Sequence, residues 1–347
     1  MERLLITLIL VCTMNNITNA QNPFYGQYHT PHEAVPFDRI ETEHYEPAIL
    51  EGIKLQNAEI EAIIQNPEKA DFTNTIEAFE ESGKLLDKVV AVFGNMLSAE
   101  TNDDLQELAQ KIMPLLSEHS NNITLNKKLF ARVKEVYNQK ETLQLTQEQK
   151  QLLENAYNSF IRHGANLEGE AREEYRRLTT ELSKLTLTFS ENNLKETNAY
   201  QMLLTKKESL AGLPEIIIEA AAETAKNEEK EGWAFTLHAP SYIPFMTYSD
   251  NRDLRQKLYM AYNTKCTHDN EFNNIDIVKK IANTRMKIAQ LLGYKDYAEY
   301  TLKKRMAENS VATARTISPI LYFLSQPMAS KTKNAMVRRL RSICMTQ

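Results

Sequence analysis

The chain has 347 residues, 42% hydrophobic and 25% charged, with a formal net charge of −5 and three cysteines. That length buries a sizeable core in one large domain or two ordinary ones, and the charge argues against a nucleic-acid protein held by phosphate contacts. Nine glycines and eleven prolines are about half the usual share, and no CxxC pair occurs, which excludes loop-rich all-β, collagen-like, disulfide-scaffold, zinc-finger and polytopic membrane classes.

In chain order, Glu2 and Arg3 lead into the apolar run from Leu4 to Val11, and a polar stretch closes on Thr18, Asn19 and Ala20. A charged start, an apolar run too short to span a bilayer and a small terminal residue predict a cleaved signal peptide over residues 1–20. The protein is therefore expected to be periplasmic or secreted. Cys12 follows Val11 rather than a small residue, which makes a lipoprotein the weaker alternative. Residues 21–47 carry Pro23, Pro31, Pro36 and Pro47 and read as an extended arm.

Helical signals follow. Asn74 with Glu77 reads as a capping box, and Leu85, Leu86, Val89, Val90, Phe93, Met96 and Leu97 repeat at helical spacing. Leu105, Leu108, Ile112 and Leu115 continue that period until Pro114 disturbs it, and Thr146 with Gln149 reads as a second box. Leu178, Leu182, Leu185 and Phe189 form a stripe expected to be buried. The pattern predicts an all-α, mainly helical bundle. Two short apolar segments, Tyr200 to Leu204 and Trp233 to Leu237, predict a small β-hairpin near residues 200–237 around a helix from Leu213 to Ala225. After Asp250, Leu254, Leu258, Ala261 and Tyr262 share a helical face, and a last helix from Ile275 to Leu292 is stopped by Gly293.

From Ser310 to Gln347 there is no Asp or Glu, while Arg315, Lys331, Lys333, Arg338, Arg339 and Arg341 are basic, so an acid-free tail follows an acidic body. Its Arg338-Arg339-Arg341 cluster is a weak signal for anionic lipid.

The candidate chemistry is sparse. A helical zinc hydrolase needs two histidines four apart on one face, with a glutamate after the first to activate water. Of His29, His32, His44, His119, His163, His238 and His268, His32-Glu33 alone makes a His-Glu pair, and Pro36 stands where the second histidine belongs. His29 and His32 read as a solvated loop, His44 as part of a charged helix start, and His119 and His163 as satisfied or surface helical residues. The pairs Glu80-Glu81, Asp103-Asp104, Glu173-Glu174 and Glu228-Glu229 read as solvated helix faces. No GxSxG, Walker or GxGxxG pattern occurs, and the cysteines lack the local signature of a thiol nucleophile. The residues by themselves assign no catalytic, cofactor-binding or metal-ligating group.

One stretch is distinctive: Trp233-Ala-Phe-Thr-Leu-His-Ala-Pro-Ser-Tyr-Ile-Pro-Phe-Met-Thr-Tyr-Ser-Asp-Asn-Arg, with Leu254-Arg255, Tyr259 and Ala261-Tyr262-Asn263 after it. It resembles the bacterial peptidyl-dipeptidases of the thimet-oligopeptidase family of zinc metallopeptidases. Asn22-Pro23-Phe24, His44-Tyr45-Glu46-Pro47-Ala48, Phe72-Thr73-Asn74-Thr75-Ile76-Glu77-Ala78, Leu210-Ala211-Gly212-Leu213-Pro214, Leu291-Leu292-Gly293-Tyr294 and Met306-Ala307 extend the resemblance from Asn22 to Asn309. It implies the N-terminal half of a mainly helical fold with a deep channel between two halves. It also implies a monomer that acts on oligopeptides, releasing C-terminal dipeptides or cutting short peptides internally. The family's zinc is held by an HExxH helix and a later glutamate, all in the C-terminal half, so no ligand carries over and this chain is expected to bind no zinc and to be inactive. Tyr242, Pro244, Asn251 and Arg252 match as a turn and cap. Without the second half, Leu254, Leu258, Ile281, Ile288 and Leu292 are expected to lose cover. The tail from Ser310 departs from the family's pattern and reads as a frameshifted end. The alternative is a non-enzymatic helical module of the cell envelope that binds peptides or another protein, with no nucleic acid and no stable membrane insertion.

Overall fold

The computed structural model describes residues 22–307 and Asn309. The expected signal peptide, Cys12 and the acid-free tail lie outside the described residues. Two compact units divide the chain, the first ending at Thr284 and the second beginning at Arg285.

The first unit is mainly helical and carries three hydrophobic cores. Helix α1 (Thr42–Gln65) opens on a reciprocal cap, in which the Glu41 N–H donates to His44 Nδ1 at 2.9 Å. Pro47 lies inside α1, so the helix claims residues that the proline count assigned to an arm. One proline costs one backbone bond, and Tyr45, Ala48 and Ile49, all buried around it, offset that loss. The arm before α1 is not a loose extension. It makes single 3-10 turns at Pro31–Glu33 and Phe37–Arg39. Phe24 is fully buried, with its ring 5.3 Å from Tyr45, which lies 5.2 Å from Phe93. Lys88 Nζ fastens the arm by donating to Phe24 O and Gly26 O.

That aromatic stack belongs to the core shared by α1, α2 (Lys84–Ala99) and α3 (Asp103–Thr124). Helix α3 runs through Pro114 instead of breaking there, because Leu105, Ala109 and Ile112 before it and Ile123 after it are all buried. The second core joins the end of α1 to α4 (Lys127–Asn138) and α5 (Gln147–Arg162) through a π-helical turn at Phe72–Glu77. The cap of that turn is three residues earlier than the sequence suggests: the Asn74 N–H donates to Asp71 Oδ1 and the Asp71 N–H to Asn74 Oδ1. Asn74 is the third residue of the box, not its first, and Asp71 is the cap. The Thr146–Gln149 box closes as expected, in both directions.

Helix α6 (Gly169–Ala199) is the longest, at 31 residues. Its stripe is buried at Leu178, half-buried at Leu182 and Leu185, and exposed at Phe189, so it fades along the helix where a bundle stripe would stay covered. The third core is built on two antiparallel strands, β1 (Gln201–Leu204) and β2 (Trp233–Thr236), in the register Met202 to Phe235 and Leu204 to Trp233. No tight turn joins them; α7 (Glu215–Asn227) sits in the connection. Helices α8 (Ala239–Tyr248) and α9 (Arg252–Asn263) complete this core around Phe235, Phe245 and Leu258.

Helix α10 (Ile275–Leu291) begins in the first unit and ends in the second. There the helix ends before Gly293, with the Tyr294 N–H bonded to Ala289 O, and the chain enters α11 (Tyr297–Leu302) under an Asp296 cap. Tyr294 and Tyr297 pack against Tyr300 in this unit. No helix among the described residues is long and apolar enough to cross a membrane.

Candidate functional site

The structure disperses the histidines. His29 and His32 lie exposed in the arm, and His44 caps α1. His163 Nδ1 meets Ser159 O at 2.7 Å at the end of α5, and His238 is the exposed residue before α8. His119 is buried against Gln56. The acidic pairs are engaged locally: Glu81 with Lys84, Glu174 with Arg177, Glu228 with Lys230, while Asp103 and Asp104 fill the first turn of α3. The first-turn acids face the positive end of the helix dipole. Zinc needs three or four converging donors. Among the described residues no group of three His, Cys, Asp or Glu side chains is placed to hold a metal.

The densest polar cluster was not legible in the sequence. Glu196, near the end of α6, accepts from the Cys266 N–H, from His268 Nδ1 at 2.6 Å and from Asn270 Nδ2 at 3.4 Å. Asn274 is buried nearby; its Nδ2 donates to Phe189 O and its Oδ1 accepts from Asn192 Nδ2. Lys265 Nζ donates to Thr197 Oγ1 at 3.0 Å. The segment 265–274 is thus latched to α6 by groups about seventy residues earlier in the chain. Beside it lies a crevice of about 350 Å³, lined by Phe189, Cys266, Ile275 and Val278. Burial pushes the Cys266 thiol up to about 11, helped by the Glu196 carboxylate, so it is no nucleophile at neutral pH.

Burial raises the Glu196 carboxyl, but the donors from His268, Cys266 and Asn270 outweigh it and hold the group below the usual carboxylate range. A group depressed in this way contributes stability above its unfolded pKa and loses it as pH falls through the folded one. Acidification below the ordinary glutamate range is therefore expected to release segment 265–274. Hydrogen exchange at the Cys266 amide should rise there, and Glu196→Gln should raise it at neutral pH, at a cost of about 1–3 kcal/mol. Protection unchanged down to pH 3 would exclude the latch.

Next to the latch lies an aromatic surface. Asn251 caps α9 by accepting the Leu254 N–H at 3.1 Å, and the Asp250 N–H donates to Ala211 O at 2.8 Å, so the matched Asn251-Arg252 pair is a turn and cap. These caps fix Tyr242 and Tyr262 in a stacked pair with centroids 4.2 Å apart, and Lys265 Nζ sits 4.5 Å over the Tyr262 ring. Burial, then the neighbouring Tyr262 and Tyr259, push the Tyr242 phenol up. Ile243, Tyr248, Tyr259 and Met260 are at least half exposed on the same two helices. Leu258, Ile281 and Ile288, expected to lose cover, are buried, and Leu254 and Leu292 are half-buried. The helical stripe turns the leucines into the unit's own core and leaves the aromatic residues outside. Aromatic surfaces with a polar edge suit contact with peptide or protein.

The chain is related to the peptidases of family M3, whose N-terminal half it matches, and residues 245–337 match that family. Those residues include Tyr248, Tyr259, Met260 and Tyr262 of the aromatic surface but not Tyr242 or Ile243, and they extend past Ser310, so the composition break in the tail is not an edge of the match. Among its relatives is the dipeptidyl carboxypeptidase of Escherichia coli strain K12, 34% identical over 301 residues, which are 86% of this chain and 44% of that protein. Oligopeptidase A of Salmonella typhimurium is 30% identical over 83% of this chain and 42% of its own length. The organellar oligopeptidase A of Arabidopsis thaliana is 27% identical over 84% and 37%. The chain spans less than half the length of these relatives.

Proposed function

We propose that this chain is the N-terminal portion of an exported M3 oligopeptidase of the kind that releases C-terminal dipeptides, and that it presents a peptide-facing helical surface without a hydrolytic centre of its own. The alignment with dipeptidyl carboxypeptidase over 86% of the chain carries the assignment. The absence of hydrolysis rests on the family resemblance, in which the zinc ligands lie in the C-terminal half, since zinc-activated water needs a converging ligand set and a base beside it. The purified chain is expected to release no dipeptide from an N-blocked tripeptide, with or without added zinc, and to retain less than one zinc per chain by elemental analysis. Its mature N-terminus, read by mass spectrometry from the same preparation, is expected at Gln21. Chelator-sensitive turnover by a clean preparation would overturn the catalytic part, and an intact Met1 the export.

The exposed tyrosine surface favours a second reading, a non-enzymatic module that binds peptides or another protein. The DNA beyond codon 347 separates the two. An HExxH helix encoded there in any frame supports the peptidase portion, and an unrelated continuation supports the module.

A further inference from the structure

A crevice of about 310 Å³ lies between α1, α2 and α3, away from the aromatic surface. Its walls are Phe79, Leu86, Val90, Leu116 and Ile123, and it lies at the small end of the range for ligand pockets. One polar group within it is nearly wholly buried: His119, 6% exposed. The local sequence explains its orientation. Gly83, with φ +81°, precedes α2, and a Cβ there would strike the Gln56 amide. The absence of that Cβ lets Gln56 lie over the turn and bring Oε1 to within 2.7 Å of His119 Nε2. With an amide oxygen facing it, Nε2 carries the proton. Nδ1 is then a bare acceptor, and no described residue donates to it.

The other polar groups of the crevice sort by sign. Asp87 is exposed at its edge, and Ser120 and Thr124 complete the lining with Gln56 and His119; no lysine or arginine contributes. Burial lowers the His119 pKa, which keeps the ring neutral and its lone pair available. An apolar cavity with one bare acceptor inside, one carboxylate at the rim and no cation selects a compact apolar body with a positively charged N–H donor.

We propose that the crevice between α1, α2 and α3 is a binding site for a small hydrophobic amine, whose ammonium donates to His119 Nδ1 and pairs with Asp87 while its apolar part fills the space between Leu86, Leu116 and Ile123. The site does not depend on the peptidase reading, and its test does not involve hydrolysis.

The experiment titrates the full chain with 2-phenylethylammonium, with phenylacetate and ethylbenzene as isosteric comparators, following the His119 imidazole by 15N NMR and affinity by calorimetry. Saturable binding of one ammonium per chain is expected, with a shift at Nδ1 and no saturable binding of phenylacetate. Asp87→Asn, at an exposed rim position, should weaken the amine about tenfold, the loss of one charged contact. His119→Phe should abolish amine binding and leave that of ethylbenzene within about threefold, with thermal melts of both variants confirming the fold. A linear, unsaturated amine titration, equal affinity for phenylacetate, or an unchanged affinity in a folded Asp87→Asn would each overturn the proposal.

Discussion

Phe235→Ala is expected to remove about 3–5 kcal/mol of folding stability, the range for deleting a fully buried phenylalanine. Phe235 has no exposed surface and sits on β2 opposite Met202 of β1. Its ring meets Phe245 of α8 edge to face, with centroids 4.6 Å apart, a contact worth about 0.5–1.5 kcal/mol beyond area alone. The side chain therefore ties the sheet to α8, and through α8 to the tyrosine surface. A domain's total stability is only about 5–15 kcal/mol, so this one truncation should bring the third core close to unfolding. The cores of α1–α3 and of α1, α4 and α5 share no side chain with it. Urea denaturation followed by Trp233 fluorescence should report an early transition in the variant, with a later one in far-UV circular dichroism. Phe235→Leu should cost less than half as much. A single unshifted transition by both probes would contradict this account of the third core.

Gly212→Ala should be strongly destabilising, although it adds one methyl. Gly212 has φ +86°, and a Cβ there would lie 2.4 Å from Tyr248 O and 2.9 Å from the Asp250 nitrogen. Both are backbone atoms, held by the Asp250 N–H bond to Ala211 O and by the Ser249 carbonyl accepting from Arg255. The turn that launches α9 would have to move away, losing one hydrogen bond worth about 1 kcal/mol in addition to about 1–3 kcal/mol of backbone strain. A loss of about 2–4 kcal/mol follows. Gly94, inside α2 with open space around it, makes the control: Gly94→Ala should stabilise by about 0.5–1 kcal/mol through helix propensity. If the two variants melted within a degree of each other, the close approach at Gly212 would carry no energetic weight.

The helical architecture was legible because its signals are local. Thr146 and Gln149 lie three apart and cap α5 in both directions, and the strands were found as short apolar runs bounded by polar segments. The same local reading placed a break at Pro114 and a box at Asn74, because it had no measure of how much burial on either side of a proline, or which competing cap, decides the outcome. It expected Leu258, Ile281 and Ile288 to lose some cover, when packing within the chain buries them, while Tyr259 and Met260 are exposed. The Glu196–His268 contact spans 72 positions and the Gln56–His119 contact 63. No periodicity or spacing marks such pairs, since they follow from which helices the cores bring together. Family resemblance reached further than periodicity because it draws on many local motifs held in one order.

Cys266 gives the latch a built-in clock. The thiolate is the form that alkylates, and with its pKa near 11 only about one closed molecule in ten thousand carries it at pH 7. The residue is also buried, at 5% exposure. Both barriers come from the closed segment: burial, helped by Glu196, suppresses ionisation, and packing hinders the reagent. Once the segment swings away, the sulfur acquires the reactivity of an ordinary free cysteine. Its alkylation rate, divided by that of a free thiol, is then the fraction of time the segment stands open.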